Sequence, residues 1–387
     1  MADRSENMFA RAAREVHSSG SADDAFLPLI DVFDRVMAEQ ATGGAALTIY
    51  RGGRKVLDLV GGDYRDDSMQ VLFSVTKAIT AIAAAHAEEA GRLDLDAPLS
   101  ESWPEFAKAS TTTMTSRMVL THRSGVASLD RTDLTLQQLR DGDGDDAVAK
   151  QRPYWEPGTA HGYHSFTYGL ILDGVFRRTL GESVGSYVER ELSGPLDLEL
   201  RIGAAENELD RVHATTVSEQ WVTPTASRFA ADRGIPAGTT SFLRSRDELV
   251  NDPDFLTASF PATTGVATAR SLARLMAATL GDLPDGRRVI GSGARDRMVQ
   301  TRSDGPDRVL GIRTAFGSGV QRPFPQLPLT GAAAYGHEGA NGCLAFADPD
   351  LDLAVGFTTS VFPPNSGASA GAVAMLSSIR LCAEESL

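Results

Sequence analysis

The sequence predicts an α+β fold: an antiparallel sheet built from both chain ends, flanked by helices, with a mostly helical inserted part. Three observations carry this. Strand patterns stand near the start, at Ala45–Tyr50 and Lys55–Val60, and return from Val309 onward. Between them, from Arg92 to about Ala258, lie helical patches and many turns. The run from Val75 to Ala85 is apolar but for Thr76, Lys77 and Thr80, the mark of a helix buried in a large domain. The expected units are residues 1–85 with 300–387 for the sheet and 86–299 for the helices, with the site at their interface.

Taken in order, Asp23 to Gln40 has helical spacing, with Phe26, Leu29, Ile30, Val32, Phe33, Val36 and Met37 on one side. Asp23 or Asp24 can cap its start. The two early strands then form a hairpin across Arg51-Gly52-Gly53. The buried helix that follows runs to Glu88-Glu89, and Gly91 suits a left-handed cap. Asp141 to Asp146 reads as a solvated acidic loop, because it lacks the length and final glutamate of a calcium loop. Val266 to Leu280 reads as a helix with Thr268 as a cap. Val309–Val320, Ala334–Ala347 and Leu351–Thr359 read as strands, the last two joined by the Asp348-Pro349-Asp350 turn. Ser369 to Cys382 is a closing amphipathic helix.

Composition narrows function by exclusion. The net charge of −14 argues against nucleic acid and anionic membranes as partners. Two cysteines, Cys343 and Cys382, make neither a disulfide framework nor a metal spacing. The histidines are scattered with no His-x-x-x-His pair, so no metal or other cofactor is expected. Met1 to Gly20 is charged and polar, without the apolar core of a signal peptide, and no stretch reads as a membrane span. The expected location is cytoplasmic.

The chemistry centres on Ser74-Val75-Thr76-Lys77. Residues three apart share a helical face, so the Ser74 hydroxyl and the Lys77 amine can touch. Burial disfavours the ammonium, and the positive end of the helix dipole acts the same way. A lysine held neutral can take the serine proton and leave a nucleophile that needs no histidine. The competing reading is a buried lysine paired with a carboxylate elsewhere in the chain. Gly367-Ala368-Ser369-Ala370-Gly371 matches a nucleophile elbow in letters only. Prolines 363 and 364 interrupt the strand an elbow requires, and neither histidine nor aspartate follows Ser369.

With these patterns in place, the chain from about Gly43 onward resembles the serine β-lactamase and penicillin-binding protein fold. In detail it is similar to family VIII carboxylesterases, relatives of class C β-lactamases. Ser74-Val75-Thr76-Lys77 matches the family's Ser-x-x-Lys. Gly91-Arg92-Leu93-Asp94-Leu95-Asp96-Ala97-Pro98, Leu120-Thr121-His122-Arg123-Ser124-Gly125, Trp155-Glu156-Pro157-Gly158-Thr159 and Pro261–Leu280 are further family-like stretches. The resemblance implies that Tyr163, in Tyr163-His164-Ser165, is a second base and later the proton donor, its pKa lowered by charge on Lys77. It places His337-Glu338-Gly339 where β-lactamases carry Lys-Thr-Gly, and puts the oxyanion hole at the Ser74 and Ala340 N–H groups. His337, Gly339, Ser165 and Trp155 then belong to the substrate pocket or its support. His337 would hydrogen-bond Tyr163 or orient the acyl group.

The function this implies is a serine carboxylesterase acting on short-chain acyl esters through an acyl-enzyme on Ser74. A β-lactamase, D-amino peptidase or acyltransferase uses the same skeleton, and a catalytically silent binding protein is the reading from another class. The expected partner is a small-molecule ester. Chain length, alcohol preference and oligomeric state are not encoded legibly.

Overall fold

The computed structural model describes residues 18–40, 43–108, 110–131, 133–217, 229–236, 249–364 and 366–385. The reading of the polar N-terminus falls, up to residue 17, outside the described residues.

A six-stranded antiparallel sheet forms from both ends of the chain. Its N-terminal strands are β1 (Ser19–Ala22), β2 (Gly44–Arg51) and β3 (Arg54–Gly62). The C-terminal half adds β7 (Tyr335–Glu338), β8 (Leu344–Asp348) and β9 (Leu353–Thr359). Their spatial order is β1-β3-β2-β9-β8-β7. The halves join where β9 pairs with β2, Val355 opposite Ile49 and Phe357 opposite Leu47.

Helices cover both faces. On one lie α1 (Pro28–Glu39) and α6 (Ala370–Glu385), which bury Leu29, Phe33, Met375 and Ile379 against Leu47, Ile49 and Phe357. On the other lies α5 (Ala269–Leu280), whose Leu272, Leu275 and Met276 join the larger core. That core also takes α2 (Val75–Glu89), where every residue from Val75 to Ala85 is buried. Gly91 stands at φ 66° after this helix, the left-handed stop its position predicted. A small three-stranded sheet lies beside it, with β6 (Gly265–Ala267) between β4 (Gln70–Val71) and β5 (Leu200–Ile202). No helix among the described residues is long and apolar enough to cross a membrane.

Five expectations change. The first α-helix begins at Pro28, after a short 3-10 turn at Asp24–Phe26, and neither Asp23 nor Asp24 caps it through its side chain. The acidic stretch is a helix start, not a loop: α3 spans Asp143–Lys150, with Asp143, Asp145 and Asp146 in its first turn. Acidic groups there face the positive end of the helix dipole, and Asp145 also meets Arg177 and Arg178 of α4 (Thr167–Leu180). Val266 belongs to β6, and α5 begins only after Thr268, whose hydroxyl accepts from the Ser271 N–H as a cap. Of Val309–Val320 only Arg313–Phe316 is strand. Ala334–Ala347 is a hairpin of two strands, because Gly342 at φ 91° turns the chain and Gly339 N–H closes onto the Cys343 carbonyl.

Candidate active site

Ser74 is the only partly exposed residue between Ser68 and Ala85. It occupies the N-cap position of α2, directly after Phe73, which is held at φ 47°. An aromatic residue in the left-handed region is strained. The Phe73 ring is buried edge-on to Phe362 at 5.5 Å, and this packing holds it there.

One turn into the helix, Lys77 is fully buried. Its Nζ lies 3.1 Å from Ser74 Oγ, 2.7 Å from the Ser165 carbonyl and 3.1 Å from the Ala262 carbonyl. No carboxylate pairs with it among the described residues, which removes the competing sequence reading. Burial holds its pKa well below 10.5. A neutral amine has two hydrogens and one lone pair. The two carbonyls accept the hydrogens, so the lone pair faces Ser74 and receives its O–H. After proton transfer the ammonium has three hydrogens for the same three oxygens.

Tyr163 flanks the pair, its ring centroid 4.9 Å from Lys77 Nζ. Burial pushes its phenol pKa up, against a downward pull from contact with the Ser74 hydroxyl. The carboxylates of Glu338 and Asp307 add to the rise. This corrects the expectation that charge on Lys77 lowers it: burial is the larger effect and raises it. The resting phenol therefore carries its proton.

The turn bearing Ala340 is tied to the residues leading into Ser74. Asn341 Nδ2 donates to the Val71 carbonyl at 2.7 Å. At Gly339 a Cβ would stand 2.4 Å from the Leu72 carbonyl oxygen, so only glycine permits the approach. Among the described residues neither the Ser74 nor the Ala340 N–H donates to another backbone group.

His337 is buried on the site side of β7, its ring 6.1 Å from that of Tyr163. Its Nδ1 donates to the Glu338 carbonyl at 2.7 Å, which leaves Nε2 a bare acceptor. That Nε2 is buried without a partner. Burial pushes its pKa down to about 3, so it carries no charge at neutral pH. Trp155 presents a second buried orphan, its indole Nε1–H, with its ring 6.0 Å from His164. Ser165 enters through its backbone carbonyl, as an acceptor for Lys77. Ser369 stands just before α6, where its hydroxyl accepts from the Ala372 N–H.

Sequence reasoning missed His122, His164 and Asp307 as neighbours of the site. His122 lay in a quoted motif without a role. Asp307 had no local signal, since it meets Tyr163 across 144 residues of chain. The scattered histidines converge: His122, His161 and His164 gather around the Tyr163 loop, and His337 faces it from β7. No cluster of described His, Cys, Asp or Glu residues could hold a metal ion.

The chain is similar in sequence and fold to known proteins. A family model described as beta-lactamase matches residues 29–378. The curated protein "Esterase/beta-lactamase LipL" of Mycobacterium tuberculosis is 28% identical over 357 residues, covering 87% of this chain and 81% of that one. The structure of EstA from Arthrobacter nitroguajacolicus Rue61a superposes with a TM-score of 0.85 at 27% identity, over 95% of this chain and 99% of that one. The crystal structure of a family VIII carboxylesterase superposes with a TM-score of 0.82 at 24% identity, over 96% of this chain and all of the other, a likeness of fold.

Proposed function

The chain belongs to the beta-lactamase family, and on that premise we propose that it is a serine carboxylesterase acting on short-chain acyl esters through an acyl-enzyme on Ser74. One observation carries the reading: a buried amine without a carboxylate, 3.1 Å from the only reachable hydroxyl of its helix.

Ser74 attacks the ester carbonyl as its proton passes to Lys77. The oxyanion is received by the N–H groups of Ser74 and Ala340, the first at the positive end of α2; losing one such donor costs about 3 kcal/mol in the transition state. Tyr163 gives its proton to the departing alkoxide. The Lys77 ammonium then returns a proton to the phenolate, so the net transfer is from serine to alcohol. Deacylation runs the sequence in reverse with water in place of the alcohol: the Tyr163 proton passes to Lys77, the phenolate takes a proton from the attacking water, and the Lys77 ammonium returns one to Ser74 as it leaves.

His337 and Trp155, with their orphaned acceptor and donor, form the polar part of the substrate pocket, and Gly339 lets the strand approach. A neutral His337 offers no charge to a substrate carboxylate, which favours neutral esters over β-lactams and D-peptides. Acyl transfer to an alcohol uses the same steps when an acceptor replaces water. We also propose the cytoplasm as the place of action and no nucleic-acid partner. The first is supported by the buried Cys343 thiol, which no disulfide ties, the second by the net charge.

The test is intact mass after exposure to p-nitrophenyl butyrate. The wild type is expected to gain one butyryl group and turn over. Ser74→Ala is expected to do neither, while Ser369→Ala behaves as wild type. Activity that survives Ser74→Ala sinks the assignment, and faster cleavage of a chromogenic cephalosporin than of the ester would point to the lactamase.

A further inference from the structure

The residue that carries the phenol is gripped by side chains from two distant segments. Two successive backbone N–H groups, those of Tyr163 and His164, find no backbone partner in a strand or helix. Tyr163 N–H donates to Asp307 Oδ1 at 3.1 Å. His164 N–H donates to His122 Nδ1 at 3.0 Å. Both acceptors are buried, Asp307 and His122 each 1% exposed.

Each acceptor is itself fixed. Asp307 Oδ1 also takes the Val309 and Leu310 N–H groups, both at 2.8 Å, and Oδ2 takes the Thr314 hydroxyl at 3.0 Å. That hydroxyl has spent its hydrogen, so His161 Nε2, 3.0 Å away, is the donor to it. His122 is held at φ 58°, a conformation an ordinary side chain resists. Its own carbonyl accepts the Gly162 N–H at 3.0 Å, and its ring lies 4.9 Å from that of Tyr163. Accepting at Nδ1 sets the neutral tautomer with the hydrogen on Nε2. Ser124 and His164 resemble a second nucleophile and base, with Ser124 Oγ 2.7 Å from His164 Nε2. Ser124 is fully buried, so the pair braces the same loop instead.

None of these groups needs to meet the substrate. We propose that His122 and Asp307 are positioning residues, which hold the backbone of the Tyr163 loop so that the phenol delivers its proton to the leaving alcohol. This rests on the reading of Tyr163 as proton donor. A misplaced donor costs most when the leaving group needs the proton. An ethoxide does; a p-nitrophenolate leaves without it.

The readout is the ratio of kcat/KM for p-nitrophenyl butyrate to that for ethyl butyrate, with the rate of fluorophosphonate labelling of Ser74 as a control for fold and nucleophile. Tyr163→Phe is expected to raise the ratio about 100-fold, the lower range for loss of a general acid. His122→Ala and Asp307→Ala are expected to raise it about tenfold, with labelling within about twofold of wild type, because they displace the acid without removing it. Asparagine keeps an acceptor at both places and tolerates the left-handed φ at 122. His122→Asn and Asp307→Asn should therefore keep the wild-type ratio. Thr314→Val keeps Asp307 and nearly the same volume, and serves if the alanine variants do not fold; it should raise the ratio about threefold as a looser grip on the same acid. If Tyr163→Phe raises the ratio and the positioning variants slow both esters alike, the inference is wrong and the donor assignment stands. If Tyr163→Phe leaves the ratio unchanged, the donor assignment fails and takes the inference with it.

Discussion

At the scale of single residues, the lysine is the decisive group, and its protonation has two measurable consequences. The amine must be neutral to accept the serine proton. Its pKa lies well below 10.5, so kcat/KM should rise with pH through that lowered value and then level off. The raised phenol pKa puts no descending limb below pH 10. Folding stability follows by linkage. The unfolded chain binds the Lys77 proton up to about pH 10.5, the folded chain releases it earlier. Between the two values the unfolded state holds one more proton, so stability rises with pH across that window and flattens above it. Lys77→Met removes the group, and the slope of unfolding free energy against pH should fall there by one proton, about 1.4 kcal/mol per pH unit. Chemical denaturation at a series of pH values checks this; equal slopes would mean that the amine is already charged in the folded protein. The same variant should lose ester turnover about 10²- to 10⁴-fold, the usual worth of a general base.

At the scale of elements, the legible parts were those whose cause is local. The Ser74–Lys77 spacing, the Gly91 stop and the Thr268 cap each depend on a few adjacent residues, and each stands as read. Thr268→Ala should lower stability by about 1 kcal/mol, measurable as a shift in melting temperature with activity retained. Where the deciding partner is remote, the sequence was silent. Val266 has helical neighbours but is drawn into a strand by pairing with Val71 and Arg201. The hairpin inside Ala334–Ala347 hides because apolar residues at both ends, Ala334-Tyr335 and Leu344–Ala347, read as one run across the Gly339–Gly342 bend. The grip on Tyr163 comes from Asp307, which no local pattern flags. The turn at Gly339 offers the sharpest test of this kind. Gly339→Ala would press a methyl against the Leu72 carbonyl and shift the Ala340 N–H. We expect kcat to drop about 10²-fold, as for loss of one oxyanion donor, with a far smaller change in melting temperature. A proportionate loss of both would make the glycine a folding requirement alone.

For the whole molecule, the sheet drawn from both termini was legible in the strand clusters at the two ends. The division into residues 1–85 with 300–387 and 86–299 remains our proposal for its units, and the contact of α5 with β2 and β9 argues for assigning that helix to the sheet unit. The α2 helix packs on β7 and on α4 at once, so we expect the units to unfold together. A single denaturant transition, coincident by far-UV circular dichroism and tryptophan fluorescence, would agree; two separated transitions would show independent units.

The Ser74 hydroxyl and the Lys77 amine ride one rigid rod, a single turn apart, so their match is inherited from helical geometry alone. The pocket residues we propose, Trp155 and His337, come from segments elsewhere in the chain. Natural drift or laboratory selection can therefore remodel that pocket freely without retuning the reacting pair, and a change of taste in esters should come more easily than a loss of speed.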